Sequence, residues 1–163
     1  MASVGNLAYV LKYQIAVALA RQGGDPLRIA HRVRHLGDAY HYAGRAASAE
    51  RCYVEALSIY RGDAHTGRLD LANAIRSFAV LKHEAGAADE AQRLWQEAHD
   101  LYAGLNLSAG VAESAARLAL LAQARGDLRR SRDCLTEASA AANSSGDPET
   151  LQYVRAVTTQ VGA

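Results

Sequence analysis

Residues 36–60, LGDAYHYAGRAASAERCYVEALSIY, read as one helical hairpin. Leu36, Gly37 and Tyr40 fall on a first helix, and Gly44 marks the turn. Ala49, Tyr53, Ala56 and Tyr60 share one stripe of a second helix. Small residues let two helices approach closely, and aromatics fill the gaps around them. The pattern returns downstream, where Phe78 and Ala79 precede Gly86. Ala91, Trp95, Ala98 and Tyr102 then restate Ala49, Tyr53, Ala56 and Tyr60. A third copy runs through Leu118, Ala119 and Gly126, followed by Ser131, Leu135, Ala138 and Ala142. It departs by placing Ser131 where Ala recurs and Leu135 where an aromatic recurs, which leaves its register open.

The rest of the chain fits around these hairpins. A first helix is predicted over 3–22 and is broken by Gly23 and Gly24. Asp25-Pro26 opens the second, with Asp as N-cap and Pro at the first helical position. Ile29, Val33, Leu36, Gly37 and Tyr40 give that helix its apolar stripe. Its partner covers 46–61. The next helix, over 66–85, carries Leu71, Ile75, Phe78, Ala79 and Lys82. Gly146-Asp147-Pro148 repeats the start seen at Gly24-Asp25-Pro26 and opens a last helix over 148–161. There Leu151, Val154, Val157 and Val161 face one way, and Glu149, Gln152 and Thr159 the other.

Gly44, Gly86 and Gly126 are 42 and 40 residues apart. Two helices per unit at that period are the mark of a solenoid. The residues that carry the repeat resemble the tetratricopeptide family over about residues 25–145: Leu36-Gly37, Tyr40, Ala49, Tyr53, Ala56, then Phe78-Ala79, Ala91, Trp95, Ala98. The usual unit is about 34 residues. These copies are longer and look like the long repeats of kinesin light chains and of bacterial regulatory proteins. The resemblance implies an all-α, right-handed α-α superhelical solenoid of about three helix pairs with extra helices at both ends. One domain is expected: an N-terminal helix over 1–24, repeats over 25–63, 64–105 and 106–146, and a capping helix over 147–163.

Composition agrees with an all-α chain. Half of the 163 residues are hydrophobic, while only 6% are aromatic and two are proline. With 18 basic against 17 acidic residues, nothing in the overall charge points to nucleic acid or to an anionic membrane. The charge is uneven, at +4 over residues 1–62 and −3 over 63–163. A basic first third would suit an acidic ligand or head-to-tail association, and scatter in small counts explains it as well. The apolar N-terminal run has no basic stretch before it and is interrupted by Lys12 and Gln14, so it reads neither as a secretory signal nor as a membrane span. Cys52 and Cys134 lie two repeats apart, beyond the ~7 Å that a bridge spans when helix axes are ~8–10 Å apart. Reduced thiols in a cytoplasmic protein are expected.

In tetratricopeptide proteins the first helices of successive repeats line a concave groove that usually holds a peptide. With Leu36 turned inward, the 100° step places His31, Arg34, Asp38 and His41 on the opposite stripe. The same step from Phe78 gives Asn73, Arg76, Val80 and His83, and from Leu118 it gives Glu113, Ala116, Leu120 and Gln123. A row of Arg and His beside Asn73 suits a carboxylate, because Arg offers a bidentate fork. The Lys/Asn set with which the family clamps a C-terminal carboxylate is missing, and Asp38 stands at the equivalent of Val80. Solvated polar residues on a concave face are the plainer reading of the same row.

Other constellations are weaker. His31 and His35 with Asp38 and His41 have a spacing that zinc can use, but the two histidines diverge, and no metal is expected. Arg129, Arg130 and Arg132 are interleaved with Asp127 and Asp133, as on a solvated face. No nucleophile elbow, phosphate-binding glycine loop or metal-binding His pair is found, so neither enzymatic activity nor a cofactor is expected. The first helix is apolar nearly all round and wants burial on more than one side. Self-association through Tyr9, Val10, Tyr13 and Val17 would meet that need, as would excision from a larger chain. The leading expectation is a non-enzymatic adaptor that binds a partner's peptide segment. The alternatives are a self-associating homodimeric scaffold and a regulatory sensing domain.

Overall fold

The computed structural model describes residues 4–162, and among them every regular element is an α-helix. In order these are α1 (Val4–Gly23), α2 (Pro26–Tyr42), α3 (Ala46–Gly62), α4 (Arg68–Glu84), α5 (Ala88–Gly104), α6 (Ser108–Ala124), α7 (Leu128–Ser145) and α8 (Pro148–Gly162). The chain divides into two compact units between Ala85 and Gly86, with α1–α4 in the first and α5–α8 in the second. That division falls inside the expected second repeat, between its two helices.

The helix ends follow local chemistry. Asp25 caps α2 through Oδ1, which accepts the backbone N–H groups of Leu27 at 3.0 Å and Arg28 at 3.4 Å. Asp127 and Asp147 do the same for α7 and α8, accepting from Arg130 and Thr150. Gly44 turns α2 into α3 at φ 71°, which brings the Arg45 N–H to the Tyr40 carbonyl at 2.8 Å. The turn from α5 to α6 uses Asn106 at φ 55° in the same role, with Leu107 N–H on the Tyr102 carbonyl at 3.0 Å. No glycine announces that turn in the sequence. α4 begins at Arg68 rather than Thr66, because Thr66 N–H still closes a turn onto the Asp63 carbonyl at 3.1 Å.

In the first unit the core joins Ala30, Val33, Leu36 and Ala39 of α2 to Ala49, Tyr53, Ala56 and Tyr60 of α3, with Ile75, Phe78 and Ala79 of α4 closing it. Tyr53 is fully buried, and its ring lies against Gly37; a Cβ there would stand 2.7 Å from Tyr53 Cε1. α1 covers the α2 side with Val10, Val17 and Ala20. In the second unit Gly110 makes the corresponding space for the Tyr102 ring, and Trp95 is fully buried. Ser131 stands where Ala49 and Ala91 stand. It is fully buried, and its hydroxyl donates to the Ala119 carbonyl at 3.0 Å. That bond resolves the register of the third hairpin: a serine serves at a close-packed position because its one polar group is satisfied. Arg117 extends over the rings of both Trp95 and Tyr153 at 5.7 and 5.3 Å, which ties α6 to α5 and α8. Val154 and Val157 of α8 join Ala112, Ala116, Ala138 and Ala142 in this core.

The Gly37–Tyr53 contact yields a stability prediction. Alanine at 37 gains roughly 1 kcal/mol of helix propensity, while overpacking a fixed ring costs about 1–3 kcal/mol. Gly37→Ala is therefore expected to lose up to about 2 kcal/mol in urea unfolding. Gly62→Ala, where an added Cβ meets nothing within 4 Å, should leave stability unchanged or higher. Equal effects at the two positions would refute the packing account.

Candidate functional site

The polar residues that the sequence singles out on α2 and α4 belong to the first unit, where the two helices touch. They do not form a uniform open row. At the centre Asp38 accepts the Tyr53 hydroxyl at 2.9 Å and pairs with Arg34 at 3.3 Å and His35 at 3.4 Å. Burial pushes the Asp38 carboxyl up, but hydrogen bonds from His35, Tyr53 and Ser77 and the Arg34 charge outweigh it. The net result holds the carboxyl below its ordinary value. The Arg34 side chain is only 12% exposed and contacts the His35 ring nitrogen at 2.8 Å. His35 is in turn stacked on Tyr13 of α1, with ring centroids 5.7 Å apart. Arg34 and Asp38 therefore brace α2 against α3 and α4, and this corrects their expected place on a binding surface. The helical wheel sets them opposite Leu36; Arg34 is largely covered there, while Asp38, bound to Tyr53, keeps 33% of its side chain exposed.

The other expected groove residues are distributed differently. His41 binds Glu84 at 2.7 Å across the α2–α4 seam. Asn73, Arg76 and His83 are half-buried and already engaged in polar or electrostatic contacts, and Val80 is half-buried. Gln123 belongs to the second unit, where its amide donates to the Val161 carbonyl at 3.3 Å. Of the four residues expected to mediate self-association, Val10 and Val17 are 2% and 5% exposed and face into the first unit, and Tyr13 is committed to His35. Val10 and Val17 are core residues of α1, Tyr13 is half-buried, and Tyr9 is 41% exposed.

His31 lines an open cleft. The cleft has a volume of about 250 Å³ and is formed by Leu27, Arg28, His31 and Arg32 of α2 with Asp70 of α4. Arg28 and Arg32 are exposed, and neither side chain makes an ion pair among the described residues. His31 packs edge-on against His35, at 4.7 Å between centroids. Desolvation, reinforced by His35, Arg34 and Arg32, pushes the His31 pKa down, so its imidazole is neutral at pH 7. The cleft thus offers two guanidinium forks, a neutral imidazole, one carboxylate and an apolar wall. Arg28, Arg32 and Asp70 escape the sequence reading because no periodic stripe includes them. A cue does exist in the i, i+4 spacing of the two arginines on one flank of α2.

Among the described residues no group of three or more His, Cys, Asp or Glu side chains is placed to hold a metal ion. None of their helices is long and apolar enough to cross a membrane. Cys52 and Cys134 are free thiols, and burial pushes both pKa values up, to about 11 for Cys52.

Removing Asp38 leaves Tyr53 and Arg34 without their shared acceptor. Asp38→Asn should lower stability at pH 7 by roughly 1–3 kcal/mol. The folded-state pKa of Asp38 is depressed, so its contribution is complete above the unfolded value of about 3.9 and is lost as pH falls through the lower folded value. The gap between wild type and variant, measured by chemical unfolding, is therefore expected to be widest above about pH 5 and to close below about pH 4. A gap independent of pH would contradict the ionic role.

No protein-family model and no curated protein sequence matches the chain. In structure it is similar to BtubC (BKLC) from P. vanneervenii, a kinesin-light-chain-like protein of the tetratricopeptide type. The TM-score is 0.74 at 20% identity, over 93% of this chain. The chain spans 63% of the length of that protein. At this identity the likeness carries the fold alone, an all-α helical repeat.

Proposed function

We propose that the protein is a non-enzymatic interaction module, and that its first unit binds a peptide segment of a partner protein in the α2–α4 cleft. The observation that carries this reading is the pair Arg28 and Arg32. Both are solvent-exposed and without ion pairs among the described residues, on the rim of a cleft that also has an apolar wall at Leu27. Exposed guanidinium forks held on a rigid helix suit a carboxylate bidentately, and Leu27 suits a neighbouring aliphatic side chain. The fitting ligand is an acidic peptide: one Asp or Glu to meet the arginines, flanked by a small apolar residue. Asp70 on the opposite wall disfavours a second acid close by and so contributes selectivity by repulsion. A tetratricopeptide-like fold, of a kind generally without catalysis, supports the non-enzymatic reading. The free thiols suit the reducing interior of a cell.

Neutral His31 adds a pH dependence. A bound carboxylate favours the imidazolium, so it raises the depressed pKa of His31 and couples binding to proton uptake. Affinity should accordingly rise as pH falls from about 7.5 towards about 6.

The test is titration of isotope-labelled protein with short alanine-based peptides bearing one Glu–Leu pair, read by amide chemical shifts. Shifts are expected in the first two turns of α2 and in the first turn of α4, weaker at high salt and absent when the Glu is replaced by Gln. Arg28→Ala with Arg32→Ala should weaken binding about tenfold, which is ~1.4 kcal/mol, with no change in unfolding midpoint. Equal binding of the Gln peptide, or shifts confined to other helices, would remove the assignment.

A further inference from the structure

The outer face of α1 is a continuous apolar ridge. Leu7, Leu11, Ile15 and Leu19 recur at every fourth residue and are 66%, 54%, 54% and 61% exposed. Ala8 and Ala18 lie beside them, also exposed. Isolated exposed leucines are ordinary, but four large aliphatic side chains aligned on one ridge form the row that interdigitates in the commonest class of helix packing. Charge is kept off this face. α1 has no acidic residue, Lys12 lies along the Tyr13 ring at 5.7 Å, and Arg21 is bound to Glu55 of α3 at 2.7 Å.

The ridge is also palindromic. Reading outward from Tyr13 in both directions pairs Lys12 with Gln14, Leu11 with Ile15, Ala8 with Ala18 and Leu7 with Leu19. Large residues match large and small match small. A two-fold interface requires this property, because residue i of one copy meets residue j of the other and j meets i. We propose that α1 is the contact surface of a closed homodimer, in which it pairs antiparallel with α1 of a second copy about an axis at Tyr13. Leu11 then packs on Ile15 of the partner subunit and Leu7 on Leu19 of the partner subunit, while Lys12 and Gln14 flank the seam on opposite sides. The pairing uses one face of one helix per subunit, and the dimer separates on dilution. It does not depend on the α2–α4 cleft, whose residues lie outside the ridge.

The experiment is sedimentation equilibrium of the full chain over a wide concentration range, with Leu11→Glu and Ile15→Lys as variants. Wild type should pass from monomer to dimer and stop there. Each variant alone should stay monomeric, with helicity and urea midpoint unchanged because both side chains are exposed. An equimolar mixture of the two variants should associate more than either alone. Antiparallel pairing sets the carboxylate introduced by Leu11→Glu in one copy against the ammonium introduced by Ile15→Lys in the other, and leaves the second Leu–Ile contact intact. A wild type that is monomeric throughout would overturn the proposal and assign the ridge to another segment or protein. So would a dimer that both variants retain, growth beyond the dimer, or a mixture no better than its components.

Discussion

The close approach of Gly37 to Tyr53 sets the geometry on which the first unit depends. Because position 37 has no Cβ, the Tyr53 ring can lie against the backbone of α2, fully buried. That placement delivers the Tyr53 hydroxyl to Asp38, the next residue along α2. Asp38 in turn fixes Arg34 and His35, and His35 offers its ring to Tyr13 of α1. A packing decision between two helices thus propagates through one hydroxyl to three charged or titratable side chains and to a third helix. The chain of contacts gives the nearly buried Arg34 a carboxylate partner at Nη1, although its Nε is left buried without a hydrogen bond.

One consequence is a division of labour along α2. Its C-terminal half, from Arg34 to His41, is occupied by contacts to its own unit. Its N-terminal half, from Leu27 to Arg32, presents side chains whose polar groups remain outward. Asp25 accepts the orphan N–H groups of Leu27 and Arg28 at the start of that half.

The fold is legible in the sequence because its determinants are periodic. The stripe Ala49, Tyr53, Ala56 and Tyr60, its echo at Ala91, Trp95, Ala98 and Tyr102, and the turn glycines specify helix hairpins through spacing alone. Asn106 and Ser131 are harder to read for a physical reason. Each does a glycine's or an alanine's task through its side-chain chemistry: asparagine tolerates the left-handed region, and serine satisfies its hydroxyl on a carbonyl. The site is less legible. A helical wheel gives the angle of Asp38 but not which helices occupy that angle, and with α1, α3 and α4 all touching α2 the supposed open stripe is mostly covered. For α1 the wheel shows an excess of apolar residues, yet only the docked α2 decides that Val10 and Val17 face inward while Leu11 and Ile15 face out.

The two terminal helices bear on what kind of assembly this chain can form. Head-to-tail association uses two different surfaces and continues indefinitely unless the rotation closes a ring. It would need an apolar acceptor surface to match the ridge on α1. α8 exposes Glu149, Gln152, Arg155 and Thr159, and the groove of about 560 Å³ between α7 and α8 combines Ala142, Leu151 and Val154 with Ser139, Asn143, Arg155 and Thr158. Burying the ridge on that face would strand polar groups without partners, at a cost that its four aliphatic side chains do not recover. The ridge itself, apolar and symmetric about Tyr13, imposes no such cost on a second copy of itself. In the proposed pairing through α1, the polar side chains of α8 stay in water.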